Sequence, residues 1–173
     1  MSVPYEKIVE QDLELGLGTV SRTMPGGGTA TGDKVNHGTL PSLVAGASRA
    51  SNQSILASTL TTVQLSTEDL DEADWYDETT FTFTPTVPGV YLALAQVSLA
   101  SFTGILTAEI YRGAVSVGKV DVVRAATAAT AQVSALLSMN GSTDALTVKV
   151  THTNASAVNL TSATFAAMLL GGL

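Results

Sequence analysis

The densest group of potential metal ligands in this chain is a short acidic segment. Seven of its fifteen aspartate and glutamate residues lie between positions 68 and 78. They are Glu68, Asp69, Asp71, Glu72, Asp74, Asp77 and Glu78. Because Ca²⁺ takes roughly six to eight oxygen ligands, a calcium site is one interpretation of Glu68–Glu78. The segment lacks an Asp-x-Asp-x-Asp-Gly pattern, and Trp75-Tyr76 interrupts it. The alternative is a solvated loop that keeps the protein soluble.

The aromatic pair inside that segment also admits two interpretations. Trp75 and Tyr76 could form an exposed recognition site, because aromatic side chains anchor many protein interfaces. They could equally close one end of a β-sandwich. We favour the second, structural role, because the tyrosine position belongs to the fold signature of a β-sandwich family that this segment resembles.

A glycine-rich stretch resembles a phosphate-binding loop but differs from it at the positions that contact phosphate and Mg²⁺. The motif requires Gly-Lys-Ser/Thr after its spaced glycines. Here Gly27 and Gly32 are followed by Asp33, Lys34 and Val35. Asp33 adds a negative charge beside the phosphate, and Val35 has no hydroxyl for Mg²⁺. A flexible arm is therefore favoured over a nucleotide site.

The residue set for covalent or metal-assisted catalysis is also incomplete. A hydrolytic triad needs a nucleophile, a histidine and an orienting acid on a rigid frame. The two histidines, His37 and His152, are far apart and show no metal-ligand spacing, and no Gly-x-Ser-x-Gly elbow occurs. The absence of cysteine excludes disulfides and thiolate chemistry. We therefore expect both histidines at the surface and predict no enzyme activity and no catalytic, cofactor or metal residues.

The composition indicates an all-β protein that covers part of its surface with other subunits. Its apolar content is mostly alanine, valine and leucine, accompanied by many threonines, and threonine and valine favour strands. Charged residues make up 13% of the chain, against about a quarter in an ordinary soluble domain. The net charge is −7 and the basic residues are scattered, which argues against nucleic acid as a partner. There is no apolar run of about 20 residues for a membrane span and no signal-peptide pattern, so we expect synthesis in the cytoplasm.

The second half of the sequence is a series of short strand patterns with no helical period, which is typical of a β-sandwich. The predicted strands cover residues 62–66, 81–84, 91–99, 105–111, 115–123, 132–138, 146–151 and 164–170. Pro85 and Pro88 end one strand, and Asn140-Gly141 predicts a tight turn between two others. Residues 146–151 alternate between apolar and polar, as expected of a strand with one wet face.

Two of these strands are apolar on both faces, which predicts an oligomer. They are residues 91–95 and 165–170. An antiparallel strand with two dry faces needs a second covering layer, and a sandwich of this size has a single core. We therefore predict an oligomer whose axis these strands line. The predicted interface residues are Tyr91, Ala93, Ala95, Phe165, Ala167 and Leu169.

The first part of the chain differs from the rest in composition. Residues 1–50 hold glycine runs and few bulky side chains, so they cannot bury enough surface to order on their own. We predict an anchoring arm over 1–50, a polar connector over 51–60 and a head domain over 61–173. The residues predicted to dock the arm are Leu13, Leu15, Leu17, Val20 and Val35.

Two motifs resemble a known family. The segment from Tyr76-Asp77-x-x-Thr80-Phe81-Thr82 to Pro88-Gly89-Val90-Tyr91 is similar to the second-strand signature of complement C1q globular heads, which belong to the tumour-necrosis-factor-like jelly rolls. Residues 163–170 resemble the closing strand of that family, although Ala166-Ala167 replaces the usual Ser-Gly. The resemblance implies a jelly roll of about eight to ten strands that assembles as a compact homotrimer.

The arm is similar to N-terminal segments of tailed-phage fibre and head-accessory proteins, in residues 16–22 and 32–36. Together the two resemblances imply a structural virion protein at the capsid surface, either a capsid decoration (cement) protein or a short head fibre. Its partners would be further copies of itself and the major capsid protein or another virion protein, which the arm would contact. The alternative is a trimeric fibre tip or adhesin that reads a host receptor or glycan through loops at one end of the sandwich.

Overall fold

The computed structural model describes residues 21–23, 29–31 and 44–172. The chain divides into two compact units, residues 1–41 and 42–173. In the first unit, β1 (Ser21–Thr23) and β2 (Thr29–Thr31) pair antiparallel. The phosphate-loop-like stretch is described only at residues 29–31. The five predicted docking residues of the arm and His37 lie outside the described residues.

The described part of the second unit contains ten strands, and its fold is all-β as predicted. We call residues 44–172 the sandwich. Its strands are β3 (Val44–Arg49), β4 (Gln53–Ile55), β5 (Thr61–Thr62), β6 (Thr67–Asp71), β7 (Tyr76–Asp77), β8 (Thr82–Phe83), β9 (Gly89–Arg112), β10 (Val115–Met139), β11 (Leu146–His152) and β12 (Val158–Gly172). Within residues 21–23, 29–31 and 44–172 there is no helix long and apolar enough to cross a membrane.

A long antiparallel hairpin of β9 and β10 forms the frame of the sandwich and contributes to both of its layers. The first half of β9 pairs with β12, whereas its second half pairs with β11. The hairpin changes layer near Gly104, whose φ is 131°, and near Ala126, where the register with β9 shifts. A local bulge of this kind bends a strand without ending its pairing.

Two layers result from this bend. The first, which we call the β12 sheet, has the order β6-β3-β12-β9-β10, with β4 also paired to β12. The second, the β11 sheet, has the order β7-β8-β11-β9-β10, with β5 also paired to β11.

Aromatic side chains from both layers meet in the core. The ring centroid of Phe83 lies 5.9 Å from the ring centroids of both Tyr91 and Phe165. Phe83 therefore joins β8 to β9 and β12. Trp75 meets Phe83 edge-on at 5.9 Å and donates its Nε1–H to the Thr86 hydroxyl at 3.0 Å. Edge-on pairs at this separation are favourable beyond their buried area.

The sandwich begins at Val44, earlier than the predicted boundary at residue 61. Strand β3 pairs with β12 and β6, and β4 pairs with β12, so residues 44–60 belong to the sandwich and not to an arm and a connector. Ala45 and Ala47 are fully buried there. Such small side chains give a weak hydrophobic pattern, which is why the sequence of β3 looked like part of a flexible segment.

The chain turns at Asn140-Gly141 as predicted, but the turn begins a six-residue connection from β10 to β11, and these two strands do not pair with each other. The turn packs against the two-proline segment. Asn140 Oδ1 accepts hydrogen bonds from the backbone N–H groups of Ser142, Thr143 and Asp144 at 2.9–3.1 Å. Gly141 has a φ of 67°, and a Cβ built on it would lie 2.4 Å from Pro88 N. Glycine is required here both for the backbone conformation and for the close approach.

We expect Gly141→Ala to destabilise the sandwich more than Gly113→Ala does. Gly113 has a similar φ of 57°, but no atom lies within 4 Å of its built Cβ. Gly113→Ala should therefore cost only the left-handed backbone penalty, about 1–2 kcal/mol. Gly141→Ala should cost about 1–3 kcal/mol more, because the backbone at Pro88 must shift. Urea unfolding of both variants measures the difference, and equal losses would contradict the close approach.

Candidate subunit interface

One side of the β12 sheet points away from the core, and we call it the outward face. Along β9 and β12 the odd-numbered residues from 91 to 97 and from 163 to 167 are buried, and their even-numbered neighbours are partly or fully exposed. The same alternation continues over residues 131–136 of β10. Successive strand side chains point to opposite sides, so these neighbours together cover the outward face.

Cross-strand pairing arranges the outward face in rows that run across the sheet. The first row is apolar and consists of Leu136, Leu92, Met168 and Val44. The second row contains small and apolar residues, namely Ser134, Leu94, Ala166, Gly46 and Leu70. The third row is polar and consists of Gln132, Gln96, Thr164 and Ser48.

Large apolar side chains on this face are open to solvent. Leu136 is 67% exposed, and Leu94 is 42% exposed. Contiguous exposed apolar patches are uncommon on monomeric proteins and mark sites of interaction. The outward face is therefore the candidate interface of the sandwich.

The six residues predicted for the trimer interface lie on the other side of the same strands. Tyr91, Ala93, Ala95, Phe165 and Ala167 are buried inside one protomer, and Leu169 is partly buried against that core. The Tyr91 hydroxyl also donates to the Val87 carbonyl at 2.7 Å. The candidates for a subunit interface are instead their neighbours along each strand, which lie on the outward face. The sequence did not distinguish the two sides, because two strands with apolar residues on both sides give no sequence signal for which side faces inward.

The polar row is held together by hydrogen bonds along the sheet. Gln132 Nε2 donates to Gln96 Oε1 at 2.8 Å. One step further from the leucines, the hydroxyls of Ser98 and Thr130 lie 2.9 Å apart. A shallow groove lies over Leu94, Gln96 and Gln132, between the apolar rows and this polar row.

Comparison with known proteins finds similarity in structure alone. No family model matches the sequence, and no curated protein matches it. Among solved structures, the globular domain of zebrafish complement 1qA aligns over 75% of this chain and 98% of its own, with a TM-score of 0.58 and 18% identity. The chain has the C1q/tumour-necrosis-factor-like jelly-roll fold.

Two further structures with this jelly roll come from different biological settings. Murine APRIL aligns over 73% of the chain and 98% of its own length, with a TM-score of 0.57 and 13% identity. Vertex protein P5 of the phage PRD1 aligns over 73% and 96%, with a TM-score of 0.51 and 16% identity. The fold predicted from the two motifs is confirmed.

The acidic segment lies at the free edge of the jelly roll, on β6 and β7 and the turn between them. Asp71 Oδ2 accepts the backbone N–H of Tyr76. The carboxylate of Asp77 accepts hydrogen bonds from the hydroxyls of Thr79 and Thr80 and from the Thr79 N–H. These bonds lower the pKa of Asp77 to about 2, and the Thr79 hydroxyl has the largest effect. Partial desolvation and then the negative charge of Asp71 raise the pKa of Glu68.

Two of these carboxylates therefore cap turns, and the acidic segment is not arranged as a ligand shell. Within the described part of the chain, no three acidic or histidine side chains converge as metal ligands would. Negative charge along an open sheet edge discourages pairing with another strand, which is a role that the composition of the segment does fit.

Trp75 and Tyr76 have the structural role that the sequence favoured. They are 3% and 4% exposed. The Tyr76 hydroxyl donates to the Leu65 carbonyl at 3.0 Å, and burial raises the pKa of this phenol above its usual range. The pair closes the edge of the jelly roll and is not an exposed recognition site.

His152 is buried, in contrast to the surface position that we predicted. Its Nε2 lies 2.9 Å from the Ile55 carbonyl, and its Nδ1 accepts the Asn154 backbone N–H at 3.2 Å. The accepted N–H at Nδ1 places the ring proton on Nε2, which donates to Ile55. Nε2 ties the end of β11 to β4, and Nδ1 holds the turn that follows β11. Both nitrogens are engaged, so this ring is not placed to act as a general base.

Proposed function

We propose that this chain is a non-enzymatic structural virion protein that forms a homotrimer at the capsid surface, as a decoration (cement) protein or a short head fibre. The observation that carries the proposal is the outward face, with its exposed leucines in register across the β12 sheet. Copies of the chain that meet through this face would remove Leu136, Leu94 and their neighbours from water. The jelly roll that the chain shares with the PRD1 vertex protein supports the virion setting.

The proposed attachment uses the arm, which we redefine as residues 1–43 because β3 begins at Val44. Each trimer would present three arms to the particle. Linked binding segments gain affinity from effective concentration, so three weak contacts can hold a trimer firmly. The five docking residues predicted in the arm, from Leu13 to Val35, remain part of this proposal.

Deletion of residues 1–43 tests the role of the arm. We expect light scattering to show that the truncated protein is still a soluble trimer. It should no longer cosediment with virus particles from which the wild-type protein is absent. Deletion of residues 1–50 serves as the contrasting control, because it also removes β3 and should destabilise the sandwich. Particle binding retained without residues 1–43 would refute docking through the arm.

A second candidate function, recognition of a host receptor or glycan, is favoured by the far end of the sandwich. Strand β3 starts beside Met168, whereas β4 pairs with the opposite end of β12. At that far end, Leu56 is 61% exposed and Val123 is 69% exposed. A glycan array probed with residues 44–173 separates the two functions. A reproducible hit that Leu56→Ser abolishes would favour recognition.

A further inference from the structure

The polar row of the outward face carries hydrogen-bonding groups that one protomer does not use. A glutamine amide offers two N–H donors and two acceptor lone pairs. In the Gln132–Gln96 pair, one donor of Gln132 and the oxygen of Gln96 are engaged. Among the described residues, no further hydrogen bond involves Gln96 Nε2 or Gln132 Oε1. Each protomer therefore presents free donors on β9 and a free acceptor on β10.

This arrangement is suited to a closed ring of copies. Cyclic assembly around a threefold axis uses heterologous contacts, in which one part of a subunit meets a different part of the next. A donor on β9 and an acceptor on β10 satisfy that requirement, because each copy can donate to the next until the ring closes. Exchanging oxygen and nitrogen in both amides reverses the direction of the ring and leaves it closed.

We propose that Gln96 and Gln132 close a hydrogen-bonded ring around the axis of the trimer and thereby fix its subunit number and register. This inference depends on the homotrimer proposed above. The leucine rows beside the ring supply apolar contact, which is non-directional and tolerates more than one arrangement. A polar row inside such a contact penalises every arrangement that leaves its amides unpaired, as a single buried asparagine does in a coiled coil.

The substitution Gln96→Glu tests the ring, because it replaces the free amide donors by a carboxylate that has none at neutral pH. We expect the trimer of the full-length protein to dissociate at a concentration about tenfold higher than the wild type, measured by sedimentation velocity at pH 7. Association should recover as the pH falls through about 4.3, where a glutamate gains an O–H donor. The wild type, measured over the same range, controls for the pH dependence of the rest of the protein.

The double variant Gln96→Leu/Gln132→Leu provides a second test through subunit number. We expect native mass spectrometry to show more than one oligomeric state, with Gln64→Leu, at an exposed glutamine between β5 and β6, as the matched control. A double variant that stays exclusively trimeric, or Gln96→Glu with unchanged affinity at pH 7, would overturn the ring. A wild-type monomer would instead overturn the homotrimer on which the ring depends.

Discussion

Leu136→Asp is expected to break the proposed homotrimer into folded monomers. Leu136 is 67% exposed in one protomer, so a carboxylate there costs the isolated fold little. In the trimer the same carboxylate would be buried beside Leu92 and Met168 without a cation, which costs several kcal/mol for each copy. We therefore expect the dissociation concentration to rise about a thousandfold or more. Sedimentation equilibrium measures it, and circular dichroism shows whether the fold is kept.

The matched control is Val123→Asp on the same strand. Val123 is 69% exposed and pairs with Ile105 in the β11 sheet, away from the outward face. This variant should remain a trimer with unchanged affinity. If both aspartate variants dissociated equally, the effect would follow from added charge and not from the outward face. If Leu136→Asp remained a trimer, the subunits would have to meet elsewhere.

The fold could be predicted because its key signals are local. The Phe81–Tyr91 segment combines a strand, two prolines and a glycine, and the structure places Phe83 and Tyr91 in ring contact at 5.9 Å. The Asn140-Gly141 turn is likewise set by residues next to each other in sequence. Such signals give the order and spacing of the strands, which predict a β-sandwich, and the jelly roll followed from the resemblance of the same segment to the C1q/tumour-necrosis-factor-like family.

The assignment of faces could not be predicted, because it depends on contacts between distant strands. Ala93 and Leu94 are both apolar, yet Ala93 is fully buried in the core and Leu94 is 42% exposed. His152 gives the same lesson, since its partner Ile55 is 97 positions away in sequence. The sequence pattern shows that side chains alternate between two faces, but the packing of the whole sandwich decides which residues face the core.

The lengths of β9 and β10 were underestimated for a related reason. The stretches around Ser101–Gly104 and Ala125–Ala128 contain few large apolar residues and looked like breaks between strands. In the structure the hairpin continues through them with shifts of register. The bend lets both halves of the hairpin pack on one core. That packing involves strands that are distant in sequence, so the local sequence does not show it.

Phe165→Ala is expected to destabilise the sandwich itself, by about 3–5 kcal/mol. Phe165 is 4% exposed, and its ring packs against those of Phe83 and Tyr76. Truncation leaves a cavity that these rings cannot fill, and the loss is a large part of the roughly 5–15 kcal/mol that stabilises a typical domain. Chemical unfolding at fixed protein concentration measures the change.

The neighbouring Thr164→Ala is the control, because Thr164 lies on the outward face and should leave the unfolding free energy of the protomer within about 0.5 kcal/mol of wild type. The two variants separate the two sides of one strand. If Phe165→Ala kept the wild-type unfolding free energy but did not form a trimer, Phe165 would belong to the subunit interface and not to the core. Because strand side chains alternate strictly, that single result would also turn Leu94 and Leu136 inward, against their observed exposure.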